Sequence, residues 1–231
     1  MPTAHLSSSA PPTLSSRQVR EVDTLSEQRF GVSVEWLMEA AGWAIARSCE
    51  ERAVVVCGVG NNAGDGLAAA RHLLRWGKLA GVCCVDAERL KGAAGRELEA
   101  LRKIGVDVAD ELQLEGGRLV VDAIFGTGLS RAPEGPFAAW IEAINASGLK
   151  VLALDIPSGL DADTGVAYAP CVRAEITVTL GLPKVGLLQA DGPGVAGEVW
   201  VADIGVPFEA YAAVGVQVPR ELFASGDRVR L

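Results

Sequence analysis

The sequence predicts an α/β protein, a Rossmann-like three-layer αβα sandwich with a mostly parallel central sheet. Short apolar runs rich in β-branched residues alternate with longer segments in which apolar residues recur at helical spacing. The runs are apolar throughout, which is typical of strands buried on both faces, and the alternation favours helices that cover a parallel sheet. Three of the runs are followed by loops that contain glycines and polar residues.

The first part of the chain has the clearest pattern. Two helices open the fold, because apolar residues recur at helical spacing over residues 19–25 and 34–45, with Gly31 as a break between them. The continuous run Ala53–Cys57 predicts a buried strand. A glycine loop and an alanine-rich helix over about residues 65–76 follow it.

The later elements continue this alternation. The pattern predicts strands at 79–85, 119–122, 151–155, Ile176–Leu180 and 199–202, and helices at 88–104 and 136–146. No helix is predicted between the last two strands, and residues 208–231 are less patterned. Because the carboxyl ends of parallel strands lie at one edge of an open sheet, we expect the polar loops to form one composite pocket.

Length and composition favour one folded domain over residues 17–231. The chain has 231 residues, of which 49% are hydrophobic and 22% are charged, and this composition argues against extensive disorder. The first residues are rich in serine but lack the basic start and apolar core of a secretory signal. We therefore expect a flexible tail over residues 1–16.

Charge and residue counts argue against several kinds of function. The net charge of −8 disfavours a nucleic-acid or anionic-membrane partner, and no apolar run approaches the roughly 18 residues of a membrane-spanning helix. Two histidines are too few for a histidine-rich metal or catalytic centre. The five cysteines form no C-x-x-C pair, which favours free thiols in a reducing compartment. We expect a cytoplasmic protein.

The loop after the first strand, GVGNNAGDG at residues 58–66, resembles a dinucleotide-binding fingerprint without matching it. Its spacing is G-x-G-x-x-x-G, and the next strand-end acid, Asp86, lies further on than the usual ~20 residues, which disfavours a standard NAD dehydrogenase. The glycines still let the backbone approach a ligand, and a helix N-terminus offers N–H groups to an anion. A tight turn without a ligand is the alternative, although it needs fewer polar residues.

The next strand-end loop, DAIFGTGLSR, starts with a carboxylate at Asp122. Its glycines and threonine favour a backbone nest for phosphate, and Arg131 could neutralise the charge of that phosphate. A surface turn with a solvated arginine is the alternative.

The third loop, DIPSGLDADTG, again places a carboxylate, Asp155, at the end of a strand. A buried carboxyl at such a position can have a shifted proton affinity, or it can simply cap a turn. Lys184, in GLPKVG, could reach the same edge of the sheet, or it could be an ordinary exposed lysine.

The sequence resembles the YjeF N-terminal domain family in five motifs. In chain order they are GNNAGDG, DAIFGTGLSR, DIPSGLDADTG, GLPKVG and VADIGVP. The similarity extends from about residue 17 to residue 207. The resemblance implies an NAD(P)H-hydrate epimerase, an isomerase that interconverts the R and S epimers of hydrated NADH and NADPH (NADHX and NADPHX) in nicotinamide nucleotide repair. It also implies a homodimer and a separately encoded ADP- or ATP-dependent NAD(P)H-hydrate dehydratase as the pathway partner.

The resemblance also implies which residues form the site. Asn62, Asp122 and Ser158 would hold a potassium ion, for which their hard oxygen donors are suited. Asp155 would act as the acid and base at the reacting carbon, and Lys184 would assist it. The implied substrate-binding residues are Asn61, Asn62, Ala63, Gly64, Asp65, Gly126, Thr127, Gly128, Leu129, Ser130, Arg131, Ala132 and Asp155.

The chain departs from the family pattern at three positions. Ala63 stands where the family usually has glycine, Ala40 where it has asparagine, and Val185 where it often has proline. Ala63 would be strained by roughly 1 kcal/mol if the loop required a positive φ. An inactive nucleotide-binding or scaffold module is the alternative function, but retention of Asp155 and all proposed cation ligands favours the enzyme. A generic methyltransferase or dehydrogenase fits the glycine spacing less well.

Overall fold

The computed structural model describes residues 10–231, and in this range eight strands form one sheet. The strands are β1 (Ala53–Cys57), β2 (Leu79–Cys84), β3 (Val108–Ala109), β4 (Leu119–Ala123), β5 (Lys150–Leu154), β6 (Ile176–Leu180), β7 (Glu198–Ala202) and β8 (Arg228–Arg230). Their order is β3-β2-β1-β4-β5-β6-β7-β8, and every neighbouring pair is parallel except β7 and β8. The predicted mostly parallel sheet is confirmed.

Helices cover both faces of the sheet. The helices within residues 10–231 are α1 (Ser16–Gln28), α2 (Val34–Ser48), α3 (Asn61–Arg75), α4 (Gly92–Lys103), α5 (Gly135–Ala146), α6 (Gly192–Val195) and α7 (Phe208–Ala213). On one face, Ile45, Leu67 and Leu101 belong to a core cluster with the sheet. On the other face, Trp140 and Ile144 of α5 do the same. This arrangement confirms the three-layer sandwich. None of the helices in the described range is long and apolar enough to cross a membrane.

The strand order reverses between β1 and β4, and this reversal creates the crevice in which ligands bind in open α/β sheets. Both strands are buried along their whole length; β1 is apolar throughout, and β4 is apolar except for Asp122. The backbone segments that follow β1 and β4 remain in close contact. A Cβ atom at Gly58 would lie only 2.0 Å from the carbonyl oxygen of Ile124. Only glycine fits at this position.

Helix α3 begins at Asn61, earlier than the predicted start near residue 65, and Gly60 precedes it as the N-cap. The motif GNNAGDG therefore forms the first turns of a helix rather than a free loop. Ala63 lies within this helix and has no positive φ, so the strain considered for it does not arise. Gly66 brings the helix close to β4, since a Cβ there would lie 2.6 Å from the Cβ of Ala123.

The end of the predicted tail belongs to the fold, while residues 1–9 lie outside the described residues. Leu14 is 3% exposed and pairs with the backbone beside Lys184, donating to the carbonyl oxygen of Pro183 and accepting from the N–H of Val185. Ser15 caps α1 through a capping box. The predicted tail boundary at residue 16 is therefore too late, because Leu14 is buried and the first helix is already capped at Ser15.

The segments without a clear sequence pattern form short helices, turns and an edge strand. Between β6 and β7, where no helix was predicted, the structure has a 3-10 turn at Val185–Leu187 and the four-residue α6. Beyond residue 208, α7 packs against α1, and β8 adds an antiparallel edge strand to β7. Tyr211 of α7 and Val22 of α1 share a small apolar cluster, which holds α1 over the carboxyl edge of the sheet.

Candidate active site

The carboxyl edge of the sheet borders a cavity of about 140 Å³, which we name the ring cavity. Asp155 and Lys184 contribute to it from the strand edge, and apolar residues such as Val22 of α1 and Leu37 of α2 form other walls. A cavity of about 150 Å³ can hold a six-membered ring such as benzene. A second cavity of about 540 Å³, the loop cavity, adjoins it and shares four residues with it. The shared residues are Asn61, Asn62, Gly126 and Thr127.

Asp155 follows β5 directly and has a φ of +69°, which L residues rarely adopt and which costs roughly 1 kcal/mol. Strained backbone of this kind is concentrated at functional sites. The Oδ1 atom of Asp155 accepts hydrogen bonds from the N–H of Leu180 at 3.0 Å and the hydroxyl of Thr179 at 3.2 Å. The local fold therefore fixes the orientation of this carboxylate.

Lys184 forms an ion pair with Asp155, and both side chains are buried. Its ammonium group also donates to the carbonyl oxygen of Leu180 at 2.9 Å and to the hydroxyl of Thr179 at 3.3 Å. Lys184 is 2% exposed, so it is not the ordinary surface lysine that the sequence left as an alternative. The structure brings Asp155 and Lys184 together, as the sequence analysis expected.

Asp122 and Ser158 form a second polar pair, and both are fully buried. The Ser158 hydroxyl donates to Oδ1 of Asp122 at 2.6 Å, and the Ser158 N–H donates to Oδ2 at 2.8 Å. Burial raises the pKa of Asp122 from 3.8 to about 6, although the hydrogen bonds from Ser158 and Ile124 lower it. A cation nearby would favour the ionised form of this carboxyl group.

Asn62 lies in the first turn of α3 and is 9% exposed. Its Nδ2 atom is buried and has no hydrogen-bond partner within the described residues. An unsatisfied buried polar group costs about 1–3 kcal/mol, so this N–H donor is suited to an acceptor atom of a ligand. The side chain lies against Gly126, where a Cβ atom would approach Oδ1 to 3.2 Å. Amide, carboxylate and hydroxyl oxygens are the donors that a hard cation prefers, so these residues fit the expected potassium ion.

The N-terminus of α3 opens onto both cavities. No side chain caps this helix, and Asn61 and Asn62 line the ring cavity and the loop cavity. The loop 126–131 lines the loop cavity, with Arg131 exposed at its end. Uncapped N–H groups, glycine backbone and an arginine are suited to an anionic ligand such as a diphosphate.

Three of the predicted substrate-binding residues line neither cavity. Ala63 and Gly64 are buried within α3, and their N–H groups donate to the carbonyl oxygen of Gly60. Ala132 is exposed beyond the loop cavity. The structure brings the remaining predicted binding residues to the two cavities, namely Asn61, Asn62, Asp65, Gly126, Thr127, Gly128, Leu129, Ser130, Arg131 and Asp155.

Two more carboxyl groups line the ring cavity, Asp65 of α3 and Asp23 of α1. Burial raises the pKa of Asp23 from 3.8 to about 6; the charge of Lys184 lowers it and that of Asp155 raises it. Burial, followed by the charges of Asp155 and Asp23, raises the pKa of Asp65 well above its ordinary value. Asp23 was not among the predicted site residues, because an acid in a predicted helix has the same sequence pattern as a solvated one.

The family described as YjeF-related protein N-terminus matches residues 34–186 of this sequence. The chain belongs to this family. Its fold agrees with a crystal structure of the yeast protein YNL200c, with a TM-score of 0.79, 24% identity, and coverage of 95% of this chain and 100% of that one. The match to the YjeF family includes the strand-end loops that carry Asn62, Asp122 and Asp155.

Two curated relatives differ in how much of their own length aligns with this chain. An NAD(P)H-hydrate epimerase of Dehalogenimonas lykanthroporepellens is 36% identical over 224 residues, covering 92% of this chain and 90% of the relative. A bifunctional NAD(P)H-hydrate repair enzyme, Nnr, of Thermofilum pendens is 43% identical over 206 residues. That alignment covers 82% of this chain but 39% of the relative, so the chain spans about two fifths of the bifunctional protein.

Proposed function

We propose that this chain is an NAD(P)H-hydrate epimerase that interconverts the R and S epimers of NADHX and NADPHX in nicotinamide nucleotide repair. The observation that carries the proposal is the buried Asp155–Lys184 pair in the wall of a cavity of ring size. The family membership and the epimerase that aligns over 90% of its length support the same reaction. An inactive module would not need a buried and strained aspartate at this place.

The reaction needs no redox step, because only the configuration of one carbon changes. The carbon that carries the hydroxyl is bonded to the ring nitrogen, whose lone pair can expel water and form a planar iminium. Water can then add to either face. Asp155 exchanges the required proton with the departing or entering water, and Lys184 with the Leu180 N–H holds the carboxylate in place.

The dinucleotide extends from the ring cavity into the loop cavity, which Asn61, Asn62, Gly126 and Thr127 connect. The uncapped N-terminus of α3 and Arg131 would bind the diphosphate. Binding of an anion by a chain of net charge −8 is reasonable here, because these local groups supply the positive potential.

Potassium is the proposed cofactor, held by Asn62, Asp122 and Ser158. The amide oxygen of Asn62, the buried carboxyl of Asp122 and the hydroxyl of Ser158 support this assignment, because all three residues are buried and offer oxygen ligands. When bound, such a cation supplies positive charge close to the region of the anionic substrate. The side chains of the chain itself would orient that cation and exclude water from it, since all three residues are buried.

We also propose a homodimer, a cytoplasmic location and an ADP- or ATP-dependent dehydratase as the pathway partner. Exposed tryptophans support the dimer: Trp36 and Trp43 of α2 are 67% and 44% exposed. Five free cysteines support a reducing compartment. The bifunctional repair enzyme that contains a similar region supports a second activity in the same pathway.

The test is to incubate the resolved R hydrate with the purified protein and follow the S hydrate by chiral chromatography. We expect conversion much faster than spontaneous epimerisation in buffer. Asp110→Asn, which changes an exposed aspartate outside both cavities, should convert the substrate as fast as the unmodified protein. Conversion at the spontaneous rate would contradict the proposal and favour the inactive module.

A further inference from the structure

Asp23 and Asp65 are the carboxyl groups of the ring cavity for which the mechanism above has no task; Asp65 already belongs to the expected substrate-binding residues, whereas Asp23 does not. Asp23 lies on α1, in the wall to which Val19 and Val22 also contribute. No hydrogen bond or ion pair links it to a residue in the described range 10–231. Asp23 is half-buried, and without such a partner no structural hydrogen bond or ion pair accounts for it.

The ionisable groups that face Asp23 come from three other parts of the fold. They are Asp65 of α3, the Asp155–Lys184 pair at the strand edge, and Tyr211 of α7. Burial raises the pKa of Asp23 to about 6, so this carboxyl group can both hold and release a proton near neutral pH.

Epimerisation through a planar iminium requires proton transfer on both faces of the ring. A hydroxyl leaves from one face, and the water that inverts the carbon enters from the other. Asp155 cannot move between the faces, because Leu180, Thr179 and Lys184 all hold its Oδ1 atom. A second group in another wall of the same cavity is therefore needed.

We propose that Asp23 is this second proton donor and acceptor, acting on the ring face that Asp155 does not reach; the inference rests on the proposed epimerase function. In one direction, the carboxylic acid of Asp23 gives its proton to the hydroxyl. The C–O bond breaks, the nitrogen lone pair forms the C=N bond, and water leaves. Water then bonds to the other face, the C=N electron pair returns to nitrogen, and the carboxylate of Asp155 takes the proton. The reverse direction exchanges the two roles.

The experiment compares Asp23→Asn with the unmodified protein in water enriched in oxygen-18. Each resolved epimer is incubated separately, and both inversion and label uptake are measured by chiral chromatography with mass spectrometry. Glu27→Gln, an exposed acid on the same helix, is the matched control. Asp23→Ser is the second variant, and thermal unfolding verifies that each variant is folded.

We expect Asp23→Asn to lower kcat for inversion about 100-fold in both directions, with KM changed less than about threefold. The epimer whose hydroxyl faces Asp155 should still take up label without inverting, so its ratio of exchange to inversion rises at least about tenfold. Glu27→Gln should match the unmodified protein. Asp23→Ser should behave like Asp23→Asn.

Two results would overturn the role of Asp23 while leaving the epimerase function standing. One is an inversion rate in both Asp23 variants equal to that of the unmodified protein. The other is an equal fall of exchange and inversion, which is the result of a distorted cavity rather than a lost proton donor. If the unmodified protein itself does not accelerate epimerisation, the proposed function fails, and the role of Asp23 fails with it.

Discussion

Replacing Lys184 by methionine perturbs the buried ion pair of the candidate site. Lys184 is 2% exposed, and its ammonium group pairs with Asp155 and donates to the carbonyl oxygen of Leu180 at 2.9 Å. Methionine keeps most of the side-chain volume but carries neither charge nor donor. Asp155 would remain as a buried carboxylate without a counter-charge, and breaking a buried pair in this way costs about 3–5 kcal/mol.

For a chain of this length, 1 kcal/mol changes Tm by about 2–4 °C, so we expect Tm at pH 8 to fall by about 6–20 °C. Circular dichroism during heating at pH 8 measures this fall. The control Lys103→Met removes an exposed lysine that pairs with Glu99, and should cost less than about 1 kcal/mol.

The double variant Lys184→Met with Asp155→Asn separates the charge from the packing. It removes both charges, and uncharged replacements of a buried pair are often neutral in stability. We expect it to regain most of the Tm lost by the single variant. The reasoning is refuted if Lys184→Met has the Tm of the unmodified protein at pH 8, or if the double variant is no more stable than the single one.

Three further changes test other parts of the site. Potassium chloride should raise the Tm of the unmodified protein above its value in sodium chloride, because a ligand that binds only the folded state stabilises it. Asp122→Ala should abolish this rise, and an unchanged rise would contradict the cation assignment. Gly58→Ala should lower the free energy of unfolding, measured by urea denaturation, by at least about 2 kcal/mol, since its Cβ would lie 2.0 Å from a carbonyl oxygen. The control Gly128→Ala, which has open space around its Cβ, should lower it by less than about 1 kcal/mol. Arg131→Ala should raise KM about tenfold with kcat unchanged if it binds the diphosphate, and steady-state kinetics with an unchanged KM would exclude that contact.

The central strands were predictable from the sequence, because an uninterrupted apolar run is enough to identify a buried strand. Every residue of β1 is apolar or small, and only a strand buried on both faces requires such a run. The start of α3 was not predictable from propensity, because glycine and asparagine are poor helix formers and the close packing of Gly66 on β4 outweighs that preference. Elements as short as β3 and α6 contain too few residues to show a period.

The site residues were predictable where a functional side chain lies at the carboxyl end of a predicted strand. Asp122 is the penultimate residue of β4 and Asp155 directly follows the neighbouring β5, so a parallel sheet places them at one edge. Asp23 could not be distinguished from a solvated acid, because only the packing of α1 over the strand edge turns it towards the cavity. The backbone of Lys184 pairs with that of Leu14, which lies in a segment of tail-like composition, so the sequence did not indicate this contact. The substrate contacts and the potassium site stay predictions.

The most direct test of the central claim is the rate of epimerisation by Asp155→Asn at saturating R hydrate. Asparagine keeps the size of the side chain but cannot exchange the proton, so we expect kcat to fall at least about 100-fold while the hydrate still binds. Binding is measured separately by titration of the variant with the hydrate. A variant that binds the hydrate and epimerises it at the full rate would contradict the assignment of Asp155 as the acid and base.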